Sequence, residues 1–121
     1  MSTRTVAFVQ SLADRFPGLG AILDEHVKDF DEILPHLFFG DLTRYVVNLF
    51  IAGRDTDGKP TELELREILS HLEKAYASGD DELQELISVS FLEHLPRDGE
   101  DGSKIRGIVG PSLSKQLKVI G

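Results

Sequence analysis

The stretch Leu34 to Ala52, LPHLFFGDLTRYVVNLFIA, constrains the fold of this 121-residue chain more than any other, because so apolar a run has to be covered. At about 100° per residue, a helix places Leu34, Phe38, Leu42, Tyr45, Leu49 and Ala52 on one stripe, widened by Phe39, Val46 and Phe50. His36, Gly40, Asp41, Thr43, Arg44 and Asn48 fall on the remaining arc, whose polarity Leu37, Val47 and Ile51 interrupt. A helix that is apolar on nearly all sides is enclosed by neighbours on several flanks, so the spacing predicts a central buried helix over about 35–52. Pro35 suits its first turn, where a missing N–H costs nothing, and Asp31 or Glu32 would face the positive end of its dipole. No membrane span is expected, since Asp41, Arg44 and Asn48 would sit near mid-bilayer at roughly a few kcal/mol each.

The other segments supply the cover. Thr5 to Phe16 carries Phe8, Val9, Leu12 and Phe16 at helical spacing and meets the breaker pair Pro17-Gly18. Leu19, Ile22, Leu23, Val27 and Phe30 repeat the pattern, with His26 on their apolar side, where packing and hydrogen bonding explain a histidine better than ligation. After the loop Gly53 to Pro60, Thr61 and Glu64 read as a capping box opening a fourth helix, with Leu65, Ile68, Leu69, Leu72 and Tyr76 inward and Glu73 in water. Asp80 or Asp81 caps a fifth helix running to Leu95, and its end, Ile87 to Leu95, is apolar enough to be the second buried helix. Residues 97–103, RDGEDGS, read as a polar, mobile link, and Gly110-Pro111 opens a last helix with Leu113, Leu117 and Ile120. No stretch alternates with period two. The expectation is one all-α domain over 1–121, with five or six antiparallel helices forming an irregular bundle or stacked helical hairpins.

Charge and composition narrow the function. The net charge of −8 divides into −12 for residues 1–101 and +4 for the remainder, where Lys104, Arg106, Lys115 and Lys118 meet no acid. Such a body repels nucleic-acid phosphates and anionic membrane surfaces and attracts basic proteins, although acidity also serves solubility alone. The absence of cysteine excludes disulfides, thiol nucleophiles and cysteine-ligated metals. With no apolar leader after Met1-Ser2-Thr3-Arg4, a cytoplasmic protein is expected.

Motifs that carry chemistry are sparse. GRDTDGKPTELE, residues 53–64, can be laid on the twelve-position calcium loop of an EF-hand with Asp55, Asp57 and Glu64 as ligands, and this gives one alternative function. Gly53 at the first position and Pro60 at the apolar one count against it. Glu67 and His71 share the i, i+4 spacing without a third ligand, so no metal and no cofactor is expected. The serines lack a nucleophile elbow, and Ser88 and Ser90 should bond the preceding helical turn. The most suggestive polar set is His36, Asp41, Arg44 and Asn48, which Glu93 and His94 would join if the two buried helices are neighbours. It could line the pocket of a small enzyme or ligand-binding domain, or form a structural network that fixes helix register.

The segments LPHLFFGDLTRYVVNLF, ISVSFLEHLP and IRGIVGPSLSKQLK together resemble a family of small all-helical bacterial proteins of unassigned function, of the kind suspected to be immunity proteins of polymorphic toxin systems. The resemblance implies a fold class and a context but no site residues. It makes an immunity- or antitoxin-like protein the first expectation, one that occludes a basic toxin domain and binds neither nucleic acid nor membrane. Candidate contacts are Asp29, Asp31 and Glu32, the cluster Asp80, Asp81, Glu82 and Glu85, and Asp98, Glu100 and Asp101.

Overall fold

The structure, a computed structural model, describes residues 3–55, 59–97 and 99–120, apart from the side chains of 54, 55 and 59–61. Those residues form α1 (Thr3–Arg15), α2 (Pro17–Phe30), α3 (Pro35–Asp55), α4 (Lys59–Ala77), α5 (Asp81–Ser90) and α6 (Pro111–Ile120), with 3₁₀ turns at Leu92–His94 and Ser103–Gly107 and no strand. α3 packs against α1, α2, α4 and α5, and α1 also reaches α5. In a stack of hairpins each unit touches only its sequence neighbours, so these cross-contacts make the fold an irregular all-α bundle.

The core forms around α3. Phe38, Phe39, Leu42 and Val46 have no accessible surface, and they join Leu12 of α1, Phe16 between α1 and α2, Leu19 of α2, Ile68 and Leu72 of α4, and Leu86 and Ile87 of α5 in one cluster. Burying each large side chain contributes about 1.5–3 kcal/mol, so truncating Phe38 or Leu42 to Ala removes several kcal/mol by transfer and cavity terms together. The expectation of nearly all-round burial is corrected on one flank. Leu37 is 53% exposed, and Arg44, Asn48 and Ala52 are also exposed. With Asp41 they form a strip at helical spacing, and the polar members of that strip determine which way Leu37 faces.

Several boundaries differ from the sequence pattern. Pro17 opens α2 instead of marking a loop, and only Phe16 separates α1 from α2. Phe16 is extended (φ −121°, ψ 108°), as a residue before proline prefers, and its carbonyl accepts the N–H groups of Leu19 and Gly20. A Cβ on Gly18 would lie 2.1 Å from the Tyr45 hydroxyl, so only glycine lets α2 cross α3 this closely. α4 begins at Lys59, which puts Thr61 inside the helix instead of at its cap. Glu64 instead accepts the Tyr45 O–H at 2.6 Å. α5 ends at Ser90, and the apolar run continues through the tighter turn Leu92–His94 with Phe91, Leu92 and Leu95 still buried.

Long-range polar contacts fasten these pieces. Glu73 does not stand free in water; its carboxylate accepts the N–H groups of Ser112 (3.2 Å) and Leu113 (3.1 Å) and so caps α6 from α4. Ser90 and Ser88 bond other helices instead of their own turn, Ser90 Oγ pairing with His36 Nδ1 and Ser88 Oγ accepting from Gln116 Nε2 at 3.2 Å. Within the segment 97–103, read from sequence as a mobile link, Glu100 N–H bonds Arg97 O and Ser103 N–H bonds Glu100 O. Gly102, whose φ of 84° favours glycine, lies close to Val47 and Ile51, where a Cβ would be tightly packed, and covers that flank of α3.

Candidate functional site

Two grooves flank the exposed strip of α3. The first, about 550 Å³, runs between α2 and α3 and is lined by Ile22, Glu25, His26, Asp29 and Phe30 on one wall and Asp41, Arg44, Tyr45 and Asn48 on the other. The second, about 360 Å³, lies between α3 and the segment 94–101, with Thr43, Arg44, Val47 and Asn48 facing His94, Glu100 and Asp101. Three of the four residues singled out on the central helix therefore do border concave surface. His36 does not join them, because its imidazole is hydrogen-bonded to Ser90 in the α3–α5 contact. Thr43, buried beside that contact, lies within hydrogen-bond reach of Phe39 O and Ser90 O and ties α3 to the end of α5. The network that fixes helix register thus uses His36, Thr43 and Ser90, and the groove walls use Asp41, Arg44 and Asn48.

The α2–α3 groove has a distinctive floor. His26 is 3% exposed, and its Nε2 accepts the Leu34 N–H at 2.9 Å, which serves the entry of α3 in the place expected of Asp31 or Glu32. An imidazole accepting at Nε2 is neutral with its proton on Nδ1, and that buried atom has no partner. The ring packs against Phe30 (4.9 Å between centroids) and Phe38 (6.2 Å), so it is the packed, hydrogen-bonded histidine expected. Phe30, placed inward by its periodicity, is 45% exposed, and Val27 one turn earlier is 38% exposed. On the facing wall the Tyr45 phenol is pushed up to about 12, chiefly by burial and then by its hydrogen bond to and the charge of Glu64.

The acidic clusters differ in what the fold does with them. Asp80 is the N-cap of α5, its Oδ1 accepting from Glu82 N–H (3.0 Å) and Leu83 N–H (3.1 Å), while Oδ2 binds Arg4 of α1 at 2.7 Å. The Leu83 N–H, and after it Arg4 and the Glu82 N–H, hold its carboxyl below the ordinary carboxylate range against a smaller opposing effect of burial. Asp81 and Glu82 stand in the same first turn, where the helix dipole favours acids, and Glu85 is exposed one turn on. Glu100 is committed in part, accepting the Arg97 N–H at 2.7 Å, and Asp98 lies outside the described residues. By contrast, the side chains of Asp24, Asp29, Asp31 and Glu32 make no hydrogen bond or ion pair with any described residue. Glu25 meets only Lys28, at 3.6 Å and in full exposure.

Of the segment 53–64 read as a calcium loop, the described residues are helical, α3 continuing through Asp55 and α4 starting at Lys59. Asp57 lies outside the described residues, as does the side chain of Asp55, and Glu64 is engaged by Tyr45. Glu67 binds Arg15 at 2.6 Å while His71 Nδ1 is bonded to the Glu67 carbonyl, so that pair is divided as well. Among the described residues no three His, Cys, Asp or Glu side chains converge as metal ligands, and no helix is long and apolar enough to cross a membrane. A further cavity of about 630 Å³, which the sequence did not signal, is lined by Leu49, Phe50, Leu65, Ile108, Arg66 and Lys104.

Five helices around the central α3, with grooves carrying acidic residues beside its exposed strip, define a small all-α domain whose described polar groups cap helices, tie helices to one another or face solvent. The chain belongs to the family described as Domain of unknown function (DUF7674), whose model matches residues 9–119. No curated protein matches the chain, and no solved structure does.

Proposed function

We propose that this domain is a protein-binding module that receives a basic protein partner on the α2–α3 face, acting in a bacterial cytoplasm as an immunity-like protein that occludes a toxin's active site or substrate groove. The observation that carries this reading is the contrast in acid use. Asp80 is accounted for by helix capping, whereas Asp24, Asp29, Asp31 and Glu32 are idle in the fold, and Asp29 lines the groove together with the half-exposed Phe30. Exposed carboxylates around an accessible aromatic suit a protein surface that brings basic side chains, and their field would raise the association rate more than the intrinsic affinity. An anionic partner would be repelled by the same groups.

The reading is tested by purifying the chain with the products of its neighbouring genes and measuring association at two ionic strengths. A basic product should bind, with an association rate that falls steeply as salt rises. If no neighbouring product binds, the reading fails.

A further inference from the structure

Local features around 26–32 agree poorly with stability. Asp29 lies in the last turn of α2 and Asp31 at its C-cap, near the negative pole, where a helix favours cations. Asp31 takes a left-handed conformation (φ 60°), which glycine or asparagine adopts more readily. Phe30 and Val27 leave apolar surface in water, and His26 keeps a buried Nδ1–H without an acceptor on the groove floor. Several local choices that disfavour the fold at one place mark a surface kept for another purpose.

We propose that the α2–α3 groove seats an arginine side chain of the basic partner, the guanidinium stacked on Phe30 and hydrogen-bonded by Glu25, Asp29 and Asp41; this rests on the protein-binding reading above. The groove presents three carboxylates against one guanidinium, that of Arg44, which is hydrogen-bonded to Asp41. Arg44 thus shows what Asp41 can hold, and an exposed pair of this kind exchanges readily. Arginine fits better than lysine because its flat, weakly hydrated head can stack on an aromatic ring and still present a fork of donors to carboxylates.

The test is a titration of the isotope-labelled protein, followed by amide chemical shifts, with three short synthetic peptides of one pattern in which leucine alternates with arginine, lysine or glutamate. The arginine peptide should shift amides of residues 25–32 and 41–48 and bind several-fold more tightly than the lysine peptide, and the glutamate peptide should not bind. The double variant Glu25→Lys/Asp29→Lys should weaken arginine-peptide binding by roughly tenfold or more without lowering Tm, since both side chains are exposed and Glu25 gives up only its exposed pair with Lys28. Phe30→Ala should erase the preference for arginine over lysine and leave a weaker, salt-sensitive attraction. Shifts centred on 80–85, equal binding of the two cationic peptides, or a salt-sensitive dimer through the chain's own basic segment 104–118 would overturn the proposal. A neighbouring-gene product that binds the double variant as tightly as the wild type overturns the groove and leaves the protein-binding reading standing. An arginine peptide seated in the groove when no neighbouring product binds supports the groove and removes that reading.

Discussion

Two acidic clusters of similar composition lie at opposite poles of their helices. Asp80, Asp81 and Glu82 stand at the N-terminus of α5, where unpaired N–H groups and the dipole reward negative charge. Asp29 and Asp31 stand at the C-terminus of α2, where carbonyls crowd and each exposed acid costs roughly 0.3–1 kcal/mol at low salt. Position along the helix, and not charge density along the chain, therefore separates acids that serve the fold from acids that do not. Helix capping explains the first set, and nothing in the packing explains the second.

The largest effect that can break this comparison is expected at Glu73, a fourth acid at a positive pole, which caps α6 from another helix. Glu73→Ala leaves two amide donors unpaired and should lower unfolding free energy by about 2 kcal/mol, read by chemical denaturation. A loss below about 0.5 kcal/mol would mean that acids at positive poles are as idle here as those of α2. Next comes Asp80→Ala, which removes the α5 cap and the Arg4 link together and should lower Tm by about 5 °C. Asp80→Asn keeps an acceptor at the cap and isolates the charge. Because the folded carboxyl titrates below its ordinary range, the advantage of Asp over Asn is full near neutral pH. It is lost as pH falls from about 4, the unfolded value, through the lowered folded one. A Tm difference independent of pH would show that the charge plays no part.

The sequence made the helices and the inward faces legible because periodicity reports which side of a helix is buried. Periodicity does not report which element covers that side. Glu73 has the spacing of a solvent residue on α4, and only the return of α6, 39 residues on, supplies the donors it accepts. Gly18 and Tyr45 likewise reveal nothing singly, and their close crossing exists only when α2 lies over α3. Of the site, Asp41, Arg44 and Asn48 were legible as polar positions on an apolar helix, and Asp29 as an acid. Phe30 was missed, because at the last position of α2 the inward stripe continues in sequence after the covering helix has ended. For His36 the pocket and the register-fixing network stayed open in the sequence, because its partner Ser90 lies 54 residues away.

A smaller effect of opposite sign would sharpen the contrast. Asp31→Gly relieves the left-handed backbone and removes an acid from a negative pole, and it should raise stability by about 0.5–1 kcal/mol. A loss of stability would show that Asp31 serves the entry of α3 as a structural acid, and the two clusters would then be alike. The same substitution separates fold from binding, since a change that strengthens the bundle while weakening partner association is not reached by damaging the protein.

The smallest effect concerns Tyr45, on the wall between the groove and the α3–α4 contact. Tyr45→Phe deletes one hydrogen bond to a half-buried carboxylate and should lower Tm by about 1–2 °C near neutral pH. The folded phenol titrates near 12, above the ordinary value of 10, so its contribution is complete below about pH 10 and declines as pH rises from there through 12. The Tm gap between wild type and variant should hold constant from neutral pH to about 9 and narrow above 10, and ultraviolet titration should show one of the two tyrosines ionising late. If Tyr45 ionises near 10 instead, the phenol is not held by Glu64, and the groove wall carries one more titrating group than the carboxylates that distinguish α2 from α5.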